Sequence, residues 1–262
     1  MADDAALEES DGYEPTHVLL APAPFTRDRR FDRQVREAVA AGARVADRVR
    51  VYVDERELVG HTPVLEDMRR IRDDDEPDAV FETGASSTAV QALSAVEVDR
   101  TAPIRAIRLQ RDGATVLQYT LAFRELTAVD ERGLVGILRD RFTDVPAAMF
   151  ETSPLASWTT GGIECAVRPP SLIVGDGAHE LRDLAAIDAD DDAQRIELTW
   201  YDDGENALVR ALYWLVDLIG GTRPTALEFD SPESYREARD ALESVVEVTG
   251  AWQGGGEASR RG

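Results

Sequence analysis

Lysine is absent from this chain of 262 residues, and all 29 of its basic residues are arginine. That absence removes Schiff-base chemistry, a pyridoxal phosphate linkage and the lysine of a phosphate-binding loop. One cysteine, Cys165, excludes a disulfide within the chain, a Cys-rich zinc site and a cysteine-ligated iron–sulfur cluster. A lone cysteine is more often a small buried hydrophobe than a nucleophile. The three histidines, His17, His61 and His179, stand apart, and none has a second histidine or cysteine at ligand spacing. There is no G-x-S-x-G elbow and no G-x-G-x-x-G fingerprint. Apolar runs are short. The 206–219 stretch is interrupted by Arg210 and Asp217 and falls below the length of a membrane span. Met1–Ser10 is acidic, unlike a secretory signal, so the cytoplasm is the expected compartment and no membrane partner is expected.

What the chain has in excess is acid. Fifty-one Asp and Glu give a net charge of −22 and a pI near 4.5. This composition resembles that of cytosolic proteins from salt-accumulating archaea. At molar salt the Debye length falls to about 3 Å, which screens carboxylate repulsion. In dilute buffer the same charge destabilises the compact state. The apolar content is that of a globular chain rather than a disordered one.

Read in order, 1–15 is an acidic tail and 250–262 a Gly-rich one, flanking a domain over 16–249 with a candidate subdivision near 99–103. Thr16–Ala21 reads as a strand and is followed by a two-faced helix from about Arg29 to Val49. Phe31, Val35, Val39, Gly42, Val45, Ala46 and Val49 fall on one side of it; Arg29, Arg33, Arg36, Arg44 and Arg48 fall on the other. Strands at Val49–Val53 and Asp78–Glu82 alternate with helices at Pro63–Arg72 and beyond Ser87. Arg111-Asp112-Gly113 between two apolar runs is a hairpin signal. Asp130 is read as the cap of a helix to about Phe142. Short strands follow at Ala147–Glu151, Gly162–Val167 and Ser171–Val174, and Asp188–Asp192 reads as an acidic loop. Arg195–Tyr201, a helix over 206–219 and Thr225–Phe229 form a strand–helix–strand unit whose strands are expected to be parallel. Ser231-Pro232-Glu233 opens a last helix to about Val248. The expected fold is therefore α/β: a largely parallel sheet with helices on both faces, with an inserted β-hairpin or mixed segment in the middle.

In open parallel sheets, ligands bind beyond the carboxyl ends of the strands. Two loops lie at such positions: Thr26, Arg27 and Arg30 after the first strand, and Gly84, Ser86 and Ser87 after the third. Hydroxyls, arginine forks and a close-approach glycine at helix N-termini suit a phosphate or carboxylate, if both loops share one edge of the sheet. The leading expectation is thus a non-catalytic module that binds an anionic small molecule or a protein partner. A Mg²⁺-dependent enzyme on a phosphorylated or nucleotide substrate is the alternative, with Glu82 and Asp54 among its acids. A homo-oligomer formed through 206–219 is a third reading, with Tyr213 and Trp214 as anchors. No cofactor, metal or catalytic residue is assigned. The net charge argues against nucleic acid, despite the arginine stripe of 29–48. Arg132-Gly133-Leu134-Val135-Gly136 looks like the coenzyme A loop of GNAT acetyltransferases. With Asn206-Ala207…Leu212-Tyr213 it is out of register with that family's spacing, and no family is assigned.

Overall fold

The computed structural model describes residues 13–54, 63–71, 79–86, 90, 104–201 and 223–250. The chain divides into two compact units, Met1–Leu19 with Thr26–Asp144 and Leu20–Phe25 with Val145–Gly262. Both are built mainly on antiparallel sheets, which overturns the expected parallel α/β fold.

The elements of the first unit are β1 (His17–Leu20), α2 (Arg29–Gly42), β2 (Arg48–Val53), α3 (Pro63–Glu66), β3 (Arg69–Ile71), β4 (Ala79–Gly84), β5 (Ile104–Arg111), β6 (Ala114–Thr120), β7 (Glu125–Ala128) and α4 (Leu134–Phe142); the single helical turn α1 (Ala23–Thr26) falls almost wholly in the Leu20–Phe25 segment of the second. The strands lie in the order β3-β4-β2-β5-β6-β7-β1. Every pairing among them is antiparallel. Following the alternation from β1 to β2 shows that these two strands run the same way, as a strand–helix–strand unit requires. They are not neighbours, however: β5, β6 and β7 are inserted between them. The local pattern encodes strand, helix, strand, but adjacency depends on pairings made later in the chain.

Helix α2 starts where Asp28, in extended backbone, accepts a hydrogen bond from Arg30 N at 2.8 Å, as an N-cap residue does. It ends at Gly42, earlier than the expected Val49, and a 3-10 turn over Ala43–Val45 leads to β2. Phe31, Val35 and Val39 are buried, each stabilising by on the order of 2 kcal/mol. A Cβ at Gly42 would lie 3.1 Å from Leu134 Cδ1 and 3.2 Å from Leu109 Cδ1, so glycine permits the close approach of α2 to α4 and the sheet. The other boundary correction is at α4. Arg132 and Gly133 have φ of 51° and 75°, outside helical backbone, so the helix begins at Leu134 and not near Asp130.

The second unit comprises β8 (Ala148–Glu151), β9 (Ala156–Thr160), β10 (Ile163–Arg168), β11 (Ser171–Val174), β12 (Gly177–Glu180), β13 (Leu184–Asp190), β14 (Arg195–Trp200), β15 (Ala226–Glu228) and α5 (Pro232–Thr249). Strands β9 to β12 form one antiparallel meander and β13 to β15 another. Arg195 pairs with Glu228 and Glu197 with Ala226, so β14 and β15 are antiparallel, not parallel as expected. A helix between two strands gives parallel strands only if it carries the chain back to the end where the first strand began. Local sequence does not encode that route, and 202–222 lies outside the described residues. Helix α5 is capped by Ser231 Oγ, which accepts from Ser234 N at 3.1 Å. Its buried Tyr235, Ala238, Leu242 and Val245 follow helical spacing and join a core with Trp158, Val167, Leu172, Leu184 and Ile196.

Candidate functional site

The antiparallel pairing decides where the expected anion loops fall. Strand β1 ends at the edge of the sheet that carries Thr26–Arg30. Strand β2 runs the same way as β1, and β4 runs against it, with Gly84 opposite Arg48 at the start of β2. The Gly84–Ser86 loop is therefore at the opposite end of the strands. Thr26, Arg27 and Arg30 do not meet Gly84 and Ser86, and Ser87 lies outside the described residues. Thr26 is buried, and its carbonyl accepts from the Arg124 guanidinium. Arg30 is fixed on Asp28, its Nη2 2.8 Å from Oδ2. These bonds to Arg30, through its side chain and its backbone, hold the Asp28 carboxyl below its ordinary range. Tyr213 and Trp214, the expected interface anchors, lie outside the described residues.

Ser86 belongs instead to a cleft at the C-terminal end of α2. Glu37, Arg44 and Asp47 line it with Ala85, Ser86 and, from α4, Arg141. Its volume of about 650 Å³ is within the usual roughly 300–1,000 Å³ of small-molecule sites. The 3-10 turn that carries Arg44 is held by Arg111 Nη1, which donates to Val45 O at 2.7 Å. Asp47 is committed: its Oδ2 accepts from Asp112 N at 2.9 Å, and its carbonyl accepts from Ala85 N at 3.0 Å. Arg44 and Arg141 make no ion pair and no side-chain hydrogen bond among the described residues, and neither does Glu37. The cleft thus offers two guanidinium forks, one carboxylate and one hydroxyl. Arg44 was legible as part of the polar stripe of the helix. Arg141, far away in sequence on another helix, carries no motif that could have joined it to Arg44.

A second polar assembly lies on the sheet face opposite the apolar one. The register places Arg69, Glu82, Arg50, Arg108 and Gln118 in one row across five strands. Glu82 receives Arg50 Nε at 3.2 Å, Arg69 Nη2 at 3.1 Å and Arg48 Nη1 at 3.6 Å. Burial alone would push this carboxyl up. The hydrogen bonds from Arg50 and Arg69, with the charge of Arg48, outweigh it and hold the group below its ordinary range. Further along, Arg108 donates to Gln118 Oε1 at 2.7 Å and to Tyr52 OH at 3.0 Å. The alternation Arg48-Val49-Arg50-Val51 was a readable signal for two arginines on one face.

Elsewhere single acids are engaged separately. Asp54 pairs with Arg105, and Asp230 accepts from Gly161 N at 3.2 Å. Among the described residues no three His, Cys, Asp or Glu side chains are placed to hold a metal. His17 is buried, with Nδ1 2.9 Å from Thr16 Oγ1. The His179 ring is 6.3 Å from that of Trp200, and His61 lies outside the described residues. Cys165 is buried in the second unit, and burial pushes its thiol up, away from the thiolate. Among the described residues no helix is long and apolar enough to cross a membrane. No protein-family model, curated protein or solved structure matches the chain.

Proposed function

We propose that the first unit is a non-catalytic binding module for a small molecule that carries a phosphate or carboxylate group, held in the cleft between α2 and α4. The observation that carries this is the pair Arg44 and Arg141. In a chain with 51 acids and 29 arginines, charge alone would favour pairing every guanidinium, yet these two face a cleft with no ion pair among the described residues. Arginine forks match the planar or tetrahedral oxygens of such groups. Ser86 adds a hydroxyl. Glu37 disfavours a ligand that is anionic throughout and suits one with donors at its other end. Ser86 has no histidine among the lining residues to activate it, so the lining supports binding rather than nucleophilic chemistry.

The test is thermal unfolding in roughly 2–3 M KCl, which screens the acidic surface, against nucleotides, sugar phosphates, acyl-CoA and amino or hydroxy acids. Saturating ligand, about 100 times its Kd, stabilises by about 2.7 kcal/mol, or roughly 5–10 °C for this size. One class should raise the midpoint in the native protein and not in the Arg44→Ala/Arg141→Ala variant. An equal rise in that variant would place the ligand elsewhere.

A further inference from the structure

We infer that the cleft between α2 and α4 takes a linear zwitterion: a molecule with a carboxylate or phosphate at one end, a primary amine at the other and apolar carbons between, an inference that rests on the anion site proposed above. The lining of the cleft is itself dipolar. Arg44 and Arg141 bring positive charge and Glu37 brings a carboxylate, yet none of the three makes an ion pair or a side-chain hydrogen bond among the described residues. Opposite charges that line one cavity without meeting are both satisfied by a ligand that carries their complements.

Helix α2 sets the separation. From Glu37 to Arg44 the chain completes about two turns and rises about 11 Å, through the end of α2 and the 3-10 turn after it, so both residues lie on one stripe. Ala40 and Ala41 stand between them and also line the cleft, and Ala85 adds a methyl group from the loop after β4. The order along the stripe is carboxylate, methyl groups, guanidinium. A ligand anchored on the arginines by its anionic end lays its length over the alanines and reaches Glu37. An apolar tail there would strip water from the carboxylate and give no hydrogen bond in return, and a second anion would be repelled. A primary amine replaces the lost water with a charge-assisted hydrogen bond. An amine next to the anion, as in an α-amino acid, falls beside the guanidiniums instead, where like charge disfavours it. Asp47, the other carboxylate of the lining, lies beyond Arg44 in the chain and already accepts from Asp112 N at 2.9 Å.

Hexanoate, 6-aminohexanoate and its isomer 2-aminohexanoate are the probes, titrated near neutral pH at fixed KCl and followed by calorimetry. Hexyl phosphate and 6-aminohexyl phosphate repeat the comparison for a phosphate head group. In the series whose anion binds, the terminal amine should tighten binding at least roughly threefold over the amine-free parent, the scale of one partly screened ion pair. The isomer 2-aminohexanoate should bind no better than hexanoate. Glu37→Gln keeps the shape and loses the charge, and should bring the terminal amine and its parent to equal affinity. Because Glu37 is exposed, the unfolding midpoint of this variant without ligand should match that of the native protein, which separates a lost contact from a lost fold. Glu164→Gln, at an exposed acid of the second unit, should keep the full preference. Equal affinity for the terminal amine and its parent in the native protein, equal affinity for the two isomers, or a preference that survives Glu37→Gln would overturn the inference; the anion site itself stands if Arg44→Ala/Arg141→Ala still abolishes binding of the parent. Parent binding that persists in Arg44→Ala/Arg141→Ala overturns the anion site and the inference with it. Absence of saturable binding by both terminal amines overturns the inference outright.

Discussion

Replacing Glu82 by Gln tests the energetics of the arginine cluster directly. Gln keeps the shape and one acceptor oxygen but loses the charge, and its amide turns N–H donors toward guanidiniums. The contact to Arg50 is the strongest of the three: its distance is 3.2 Å and the arginine side chain is only 21% exposed. A hydrogen bond between charged groups in that setting contributes about 1.5–2 kcal/mol. The contacts to Arg48 and Arg69 are largely solvent-exposed and screened, so each contributes only about 0.2–1 kcal/mol. Glu82→Gln should therefore destabilise by about 2–4 kcal/mol at neutral pH, measured by urea unfolding at fixed KCl. The pH dependence has a definite sign. The Glu82 carboxyl is held below its ordinary value, so its contribution is complete above that ordinary value of about 4.3. It is lost as pH falls through the lowered, folded-state value. The stability gap between the native protein and Glu82→Gln should accordingly be widest near neutral pH and close in acid. A gap below about 0.5 kcal/mol at neutral pH, or one that stays constant into acid, would refute the reasoning.

Two further outcomes follow from the second unit. Ser231→Ala removes the hydroxyl that accepts from Ser234 N and should cost about 1 kcal/mol in denaturant unfolding, with Ser231→Asp restoring most of it. Cys165 is buried and its thiol is pushed up, so iodoacetamide should label it slowly in native buffer and rapidly in urea. Rapid labelling of the native protein would contradict its place in the core.

The legible part of the fold was local. The Asp112-Gly113 turn does join β5 to β6, with φ of 49° and 87° at its two residues. Ser231-Pro232 does open the last helix. The two-faced pattern of α2 put Phe31, Val35 and Val39 on the buried side. What local pattern could not supply was pairing. Strand β7 inserts beside β1 from more than a hundred residues away in sequence, and nothing in His17–Leu20 announces it. Acid content also hid a strand. Leu184–Asp190 sends Ala186, Asp188 and Asp190 outward at a period of two, yet its aspartates were read as loop. Such outward charges on an edge strand also discourage pairing with other chains. The candidate site suffered from the same limit. Strand direction separates Arg27 and Arg30 from Ser86, and the residue that joins Ser86 in the cleft, Arg141, arrives on a separate helix.

The measurement that bears most directly on the cleft is arginine Nε–Hε chemical shift, followed by NMR while the ligand class found by thermal unfolding is titrated in. Arg44 and Arg141 should move together and saturate with one Kd, while Arg27 and Arg30 at the opposite end of the sheet stay still. Movement of Arg27 and Arg30 without Arg44 and Arg141 would contradict the account and return the site to the loop that follows β1.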